Sequence, residues 1–283
     1  MTESWQYPVS DPLFVDLWTR GLAEENRDKP TALGTPFRFS DALNCGRRMT
    51  FDALGVDKSD PIDPAGIHVT TLGTWIHEQV QTAIGKKYPG AEFELASGND
   101  LISGSCDGVT LVGGYEGKGK MLLELKTTGG FGFDKAVGLN RKAYAQKSPE
   151  GPRPSAIAQA GLNAIFHECE TVVIMYIAME AVSKGLASKI GFSMYDRFTA
   201  EWHIPREVWE PLALAELARI QVLADNLPEI PDGMAFDDKK WDWVPISPND
   251  ARRHWSCDYC PHLTTCIAHE AGIDILPSGI EEK

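Results

Sequence analysis

Apolar residues recur at every fourth position from Leu72 through Ile76 and Val80 to Ile84, which is one face of a helix, so a helix is predicted from Thr71 onward. Gly73 and His77 share an adjacent face of it. Residues 121–126 alternate instead: Met121, Leu123 and Leu125 point one way, and Leu122, Glu124 and Lys126 the other. This strand sets a carboxylate beside an ammonium. Residues 171–178 form a continuous apolar run of strand length, the pattern of a buried strand. Shorter strands are predicted at 92–96, 101–103, 109–112 and 197–204, bounded by glycine and polar residues.

Further helices are predicted over 11–22, over a segment capped by Ser40 that carries Leu43, Cys45 and Arg47-Arg48, and over 154–167 behind Pro154. Another is expected over 206–226, where Leu212, Leu214, Leu217, Ile220 and Leu223 have core spacing. A Pro-rich connector is expected at 61–64. The glycine-rich, basic stretch 129–151 looks like a long mobile excursion. The order of elements predicts an α/β fold, a mixed central β-sheet flanked by helices. Three segments are expected: 1–66, 67–226, and a cysteine-bearing tail at 227–283.

Composition narrows the function. The 283 residues carry a formal charge of -13, which argues against histone-like coating of nucleic acid and against an anionic membrane surface. Residues 118–153 are the exception, with eight basic residues against three acidic ones. A polyanion-handling cleft and a solvated lysine-rich loop both fit that segregation. The N-terminus has no secretory pattern, and the apolar run 172–182 is broken by Glu180 and too short to span a bilayer. An intracellular, cytoplasmic protein is expected, in which six cysteines favour metal ligation or burial over disulfides.

Two groups of residues carry chemistry. Asp107 and Glu124, on strands joined by a turn, would bring hard oxygen ligands for Mg2+ or Mn2+ to one end of a sheet, and a His77 imidazole would bias the site toward Mn2+. Lys126 could steer an attacking water or neutralise charge on a phosphorane-like transition state. In the tail, Cys257-x2-Cys260-x5-Cys266 offers three thiolates and needs a fourth ligand. Cys45 is one candidate; His254, His262 or His269 would instead complete a zinc site. Cys106 and Cys169 look like buried thiols. Trp241, Trp243 and Trp255 could pack the tail or stack bases.

In this order the motifs resemble the RecB-like branch of the PD-(D/E)XK nuclease superfamily: a helical His77, Asp107 after a Gly-x-x-Asp turn, Glu124-Leu125-Lys126, and a helix with Gln159. The resemblance implies a restriction-endonuclease-like core in which His77, Asp107, Glu124 and the Leu125 carbonyl hold Mn2+ or Mg2+, with Lys126 catalytic. It implies DNA contacts from Gln159 and from Asn163, which stands where the family has Tyr; Arg47 and Arg48 could add phosphate contacts. Cys45 with Cys257, Cys260 and Cys266 resembles the iron-sulfur subset, which includes the Cas exonucleases of CRISPR adaptation and the AddB nuclease domain. That implies a structural [4Fe-4S] cluster joining the N- and C-terminal segments, and an exonuclease on single-stranded DNA ends, commonly 5' to 3', of prokaryotic or phage origin. A weakly catalytic DNA-binding or end-processing subunit of a recombination or CRISPR-adaptation complex is the alternative. A zinc-stapled hydrolase with Asp107 and Glu124 as acid and base is a third, without a supporting sugar-binding pattern.

Overall fold

The computed structural model of the chain describes residues 35–60, 62–110, 119–143, 145–227, 229–250 and 253–273. The helix expected over 11–22, the end of the strand expected over 109–112, and Lys118 lie outside them.

Among the described residues the chain runs through β1 (Phe37–Arg38), α1 (Gly46–Ala53), α2 (Pro64–Lys87), β2 (Leu95–Gly98), β3 (Ile102–Cys106), β4 (Gly108–Thr110), β5 (Met121–Thr128), α3 (Gly130–Ala136), β6 (Leu139–Asn140), β7 (Ala145–Gln146) and α4 (Pro154–Phe166). It continues through β8 (Thr171–Ala178), α5 (Lys184–Ile190), β9 (Thr199–Pro205), α6 (Arg206–Asp225), β10 (Met234–Asp237), β11 (Asp242–Pro245) and α7 (Leu263–Glu270). The fold is mixed α/β.

Its centre is a sheet in the order β4-β5-β8-β9, parallel between β5 and β8 and antiparallel on either side. A parallel pair needs a crossover, and the segment from α3 to α4 supplies it. Small residues Ala156, Ala158, Ala160 and Ala164 bury α4 against the sheet and α6. A Cβ on Gly161 would stand 2.9 Å from that of Ala213 and 3.2 Å from the carbonyl of Trp209, so glycine permits this helix contact. A second sheet has the order β1-β3-β2. Strands β3 and β4 are separated by Asp107 alone, so one extended run serves both sheets with Asp107 at the joint.

Several expectations change. Ser40 lies in a short 3-10 turn over Phe39–Asp41, and Cys45 occupies the cap position of α1. Pro64 belongs to the first turn of α2, whose cap is Asp63 accepting from Gly66 N at 2.7 Å, so the helix begins well before Thr71. The stretch 129–151 is not one irregular excursion: Phe133, Ala136 and Leu139, three residues apart, are buried on α3 and the β6–β7 hairpin. In the tail, β10 and β11 form an antiparallel hairpin that carries Trp243. Leu214 faces solvent on α6, whereas Ile220 is fully buried. No described helix is long and apolar enough to cross a membrane.

Candidate functional site

His77, Asp107, Glu124 and Lys126 come to one place where α2, the β3–β4 joint and β5 meet. His77 Nδ1 is 3.1 Å from Asp107 Oδ1. The other oxygen, Asp107 Oδ2, accepts the backbone N–H of Leu125 at 2.6 Å, so the joint residue is locked to the middle of β5. Gln81, one turn beyond His77, donates from Nε2 to the Asp107 carbonyl at 3.0 Å. Gly73, His77 and Gln81 therefore form a stripe of small and polar residues by which α2 lies on the site. A Cβ at Gly73 would meet Thr127 Oγ1 at 2.8 Å.

Glu124 is 1% exposed. Its Oε1 is 2.7 Å from Lys126 Nζ, and its Oε2 is buried without a hydrogen-bond partner. Lys126 Nζ also donates to Gln159 Oε1 at 2.8 Å. Burial pushes the Glu124 carboxyl up to about 7 in spite of the Lys126 ammonium beside it, and the Asp107 charge adds to the rise. Burial works against the Lys126 charge, but the Glu124 carboxylate outweighs it and raises the lysine. His77 and Asp107 both act electrostatically on Glu124, as a shared site requires.

The four tail and N-terminal cysteines also converge. Cys45, Cys257, Cys260 and Cys266 line one cavity with Arg47, Arg48 and Phe51. No histidine lines it among the described residues: His254 Nδ1 accepts from Ser256 N, His262 Nε2 pairs with Asp52 at 3.0 Å, and His269 sets its ring edge-on to Phe51. Burial and the neighbouring sulfurs push the Cys257 thiol up to about 11, and burial raises Cys260 and Cys266 too. Thiols so crowded ionise readily only around a positive centre. Among the described residues, no three His, Cys, Asp or Glu side chains form a group that could hold a metal ion as they stand.

Two expected DNA contacts are corrected. Asn163 is fully buried, with its amide directed to Ser97, the Ser105 carbonyl and the Gln159 carbonyl, so it is a core bridge between α4 and the second sheet. Arg47 is likewise buried, donating to Cys266 Sγ and the Pro231 carbonyl and pairing with Glu270. Arg48 stays half-exposed near Asp41 and Asp52. Gln159 is half-buried, and its side-chain oxygen accepts from Lys126. Cys106 and Cys169 are buried as expected. Gln81 went unnoticed in the sequence, although its spacing of four from His77 was the available signal.

No protein-family model matches the chain, and no curated protein does. Solved structures do. The crystal structure of SSO0001 aligns over 91% of this chain and 97% of its own, at 18% identity and a TM-score of 0.49. That of a phage-related exonuclease from Haemophilus somnus 129PT aligns over 64% of this chain and 81% of its own, at 15% identity and a TM-score of 0.37.

Proposed function

We propose that this protein is a metal-dependent deoxyribonuclease that shortens single-stranded DNA ends, with a structural iron-sulfur cluster at its four converging cysteines. One observation carries the reading: a carboxylate with a free buried oxygen, a second carboxylate, an imidazole and a doubly held ammonium meet at one joint of the sheet. Glu124 Oε2, Asp107 and His77 would hold Mn2+ or Mg2+ once their side chains turn toward it, with the Leu125 carbonyl as the backbone candidate. Such an ion, when bound, would polarise the phosphodiester and supply a nucleophilic water at neutral pH.

The remaining work falls to the chain. His77 would have to release its contact with Asp107 to serve as a ligand, while the Leu125 N–H keeps Asp107 oriented. Lys126, fixed between Glu124 and Gln159, presents its ammonium where charge grows on the phosphate oxygens. At the tail, four thiols and no histidine suit [4Fe-4S] better than a mixed zinc site. That group would tie Cys45 to residues more than two hundred positions away; the 5' to 3' polarity implied by the resemblance belongs to the same proposal.

The test compares wild type with Lys126→Ala on end-labelled single-stranded DNA with Mn2+, then with EDTA. Degradation by wild type alone, abolished by EDTA, is expected. Degradation by both proteins, or by neither, overturns the assignment. Iron and sulfide in anaerobically purified protein test the cluster; stoichiometric zinc in colourless protein removes it.

A further inference from the structure

We propose that the pocket between the start of α4 and the cysteine-bearing tail is a subsite for one nucleotide of a single-stranded polynucleotide, stacking the base on Trp255 and holding the adjoining phosphate with Arg153 and Ser155. This rests on the nuclease reading and adds where the strand lies. Asn44, Arg153, Ser155, Asp238, His254 and Trp255 are among the pocket's lining residues.

Three features of the lining point to a ligand. Trp255 is 53% exposed although it is a large apolar ring, and it is flanked by the His254 ring at 5.5 Å and by Tyr259, 80% exposed, at 6.3 Å. An open indole with aromatic neighbours is a base-stacking face. The exposed Arg153 side chain lines the pocket, and its guanidinium, whose Nη2 lies beside Gly132 of α3, has no ion-pair partner among the described residues. Its backbone is nevertheless fixed, since the Arg153 N–H donates to Tyr176 Oη at 2.8 Å. A free guanidinium on a fixed backbone is suited to a phosphate.

His254 supplies the third feature. Its Nδ1 accepts the Ser256 backbone N–H, which in the neutral ring leaves the proton on Nε2, and that atom is buried without a partner. A buried donor lacking an acceptor is costly, and a phosphate or base carbonyl oxygen would satisfy it. Asp238 acts against a bare inorganic anion and favours a ligand that also carries N–H groups, as a nucleobase does.

The position fits the chemistry. Gln159, which holds Lys126 Nζ, lies six residues along α4 from Arg153, or about 9 Å at the helical rise, roughly one or two nucleotides of an extended strand. Cys45 and Ser256 line both this pocket and the cysteine cavity, so ordering the tail also completes the subsite. The tail then serves substrate grip as well as stability.

The test is anisotropy of a fluorescein-labelled oligothymidylate with the full chain in EDTA, where no cleavage occurs. Trp255→Ala and Arg153→Gln should each weaken binding about tenfold, Trp255→Phe should stay near wild type, and Arg153→Gln should lower the salt slope by about one. Because Trp255→Ala could disturb the tail, circular dichroism is checked, and the Phe variant and the exposed Arg153→Gln carry the test alone if it unfolds. Wild-type binding left unchanged by Arg153→Gln and by loss of the ring overturns the subsite, as does failure of wild type to bind. Altered binding without Mn2+-dependent degradation by wild type would instead leave the subsite standing and remove the nuclease reading.

Discussion

Arg47 Nη1 donates to Cys266 Sγ over 3.3 Å from a side chain only 4% exposed. The same guanidinium donates through Nε to the Pro231 carbonyl at 3.0 Å and pairs with Glu270 on α7, so a residue of α1 organises the tail. Hydrogen bonds to charged groups contribute about 1.5–3 kcal/mol, and a buried donor that vanishes leaves its acceptors unpaired. Arg47→Gln should therefore lower unfolding stability by about 2 kcal/mol, whereas Arg48→Gln, half-exposed on the same helix, should cost less than about 1 kcal/mol. Urea denaturation of the two variants under one buffer checks this. Equal midpoints would return Arg47 to the surface.

A second tether works from α6. Leu43 adopts a φ of 62°, unusual for a branched side chain, and donates its N–H to Glu216 Oε1 at 3.0 Å. Glu216 is buried and paired with Arg219, whose guanidinium lies 4.3 Å from the centre of the Trp243 ring. Cys45 follows two residues later, so this buried pair sets the first thiol of the cavity. Removing one partner of a buried ion pair costs about 3–5 kcal/mol because the other charge is left behind. Glu216→Ala should show a loss of that size and, on the proposed cluster assignment, should also lower iron retention. An unaltered urea midpoint would mean that the Leu43 turn holds by itself.

The contrast between α6 and the tethers shows what the sequence made legible. Strand β8 and helices α4 and α6 were readable to within a residue or two, because a continuous apolar run, a leading proline and a long periodic face each permit one arrangement. Period alone paired Glu124 with Lys126 on one face of β5; bringing His77 and Asp107 to them, from α2 and the β3–β4 joint, came from the motif order of the family that the chain resembles. Asn163 and Arg47 were misplaced because spacing names a face without saying whether water or protein covers it. Glycines concealed α3, since Phe133 and Ala136 anchor a helix that its composition disfavours. Glu216 and Arg219, three apart, look like a solvated pair until the β10–β11 hairpin and the Leu43 turn are laid over them.

Lys126 has two partners, and they should separate in kinetics. Gln159→Ala removes the hydrogen bond at 2.8 Å but leaves the Glu124 carboxylate in contact with the ammonium. A misplaced catalytic group can cost about a hundredfold, and one still half-held should cost less. Gln159→Ala should lower kcat about tenfold with KM nearly unchanged, against complete loss for Lys126→Ala. Single-turnover cleavage with Mn2+ distinguishes the two. A rise in KM with unchanged kcat would instead assign Gln159 to DNA binding.

Burial should silence two of the six cysteines. Burial pushes the Cys106 thiol up to about 12, with the Asp107 charge opposing ionisation further, and pushes Cys169 up to about 11. A raised thiol pKa lowers the thiolate fraction at every pH below it, and thiolate is the reactive form. In native protein between pH 7 and 9, iodoacetamide should leave both residues unlabelled, while 6 M guanidinium should expose both. Peptide mass spectrometry reads each site separately. Labelling of Cys106 in the native state would mean that the strand beside Asp107 opens, contradicting a rigid joint between the two sheets.

The approach of α2 to β5 leaves no room at Gly73, where an added Cβ would lie 2.8 Å from Thr127 Oγ1. On helix propensity alone, Gly73→Ala would stabilise α2 by about 1 kcal/mol. Overpacking opposes that gain and costs about 1–3 kcal/mol unless the helix moves away, and His77 one turn later moves with it. The expected outcome is near-wild-type stability with Mn2+-dependent cleavage reduced about tenfold or more, because the imidazole is withdrawn from Asp107. Adding Thr127→Ala removes the obstructing hydroxyl and should restore most of the cleavage. If the double variant stays as impaired as Gly73→Ala, the defect lies in the helix itself, and the close contact with β5 is not what positions His77.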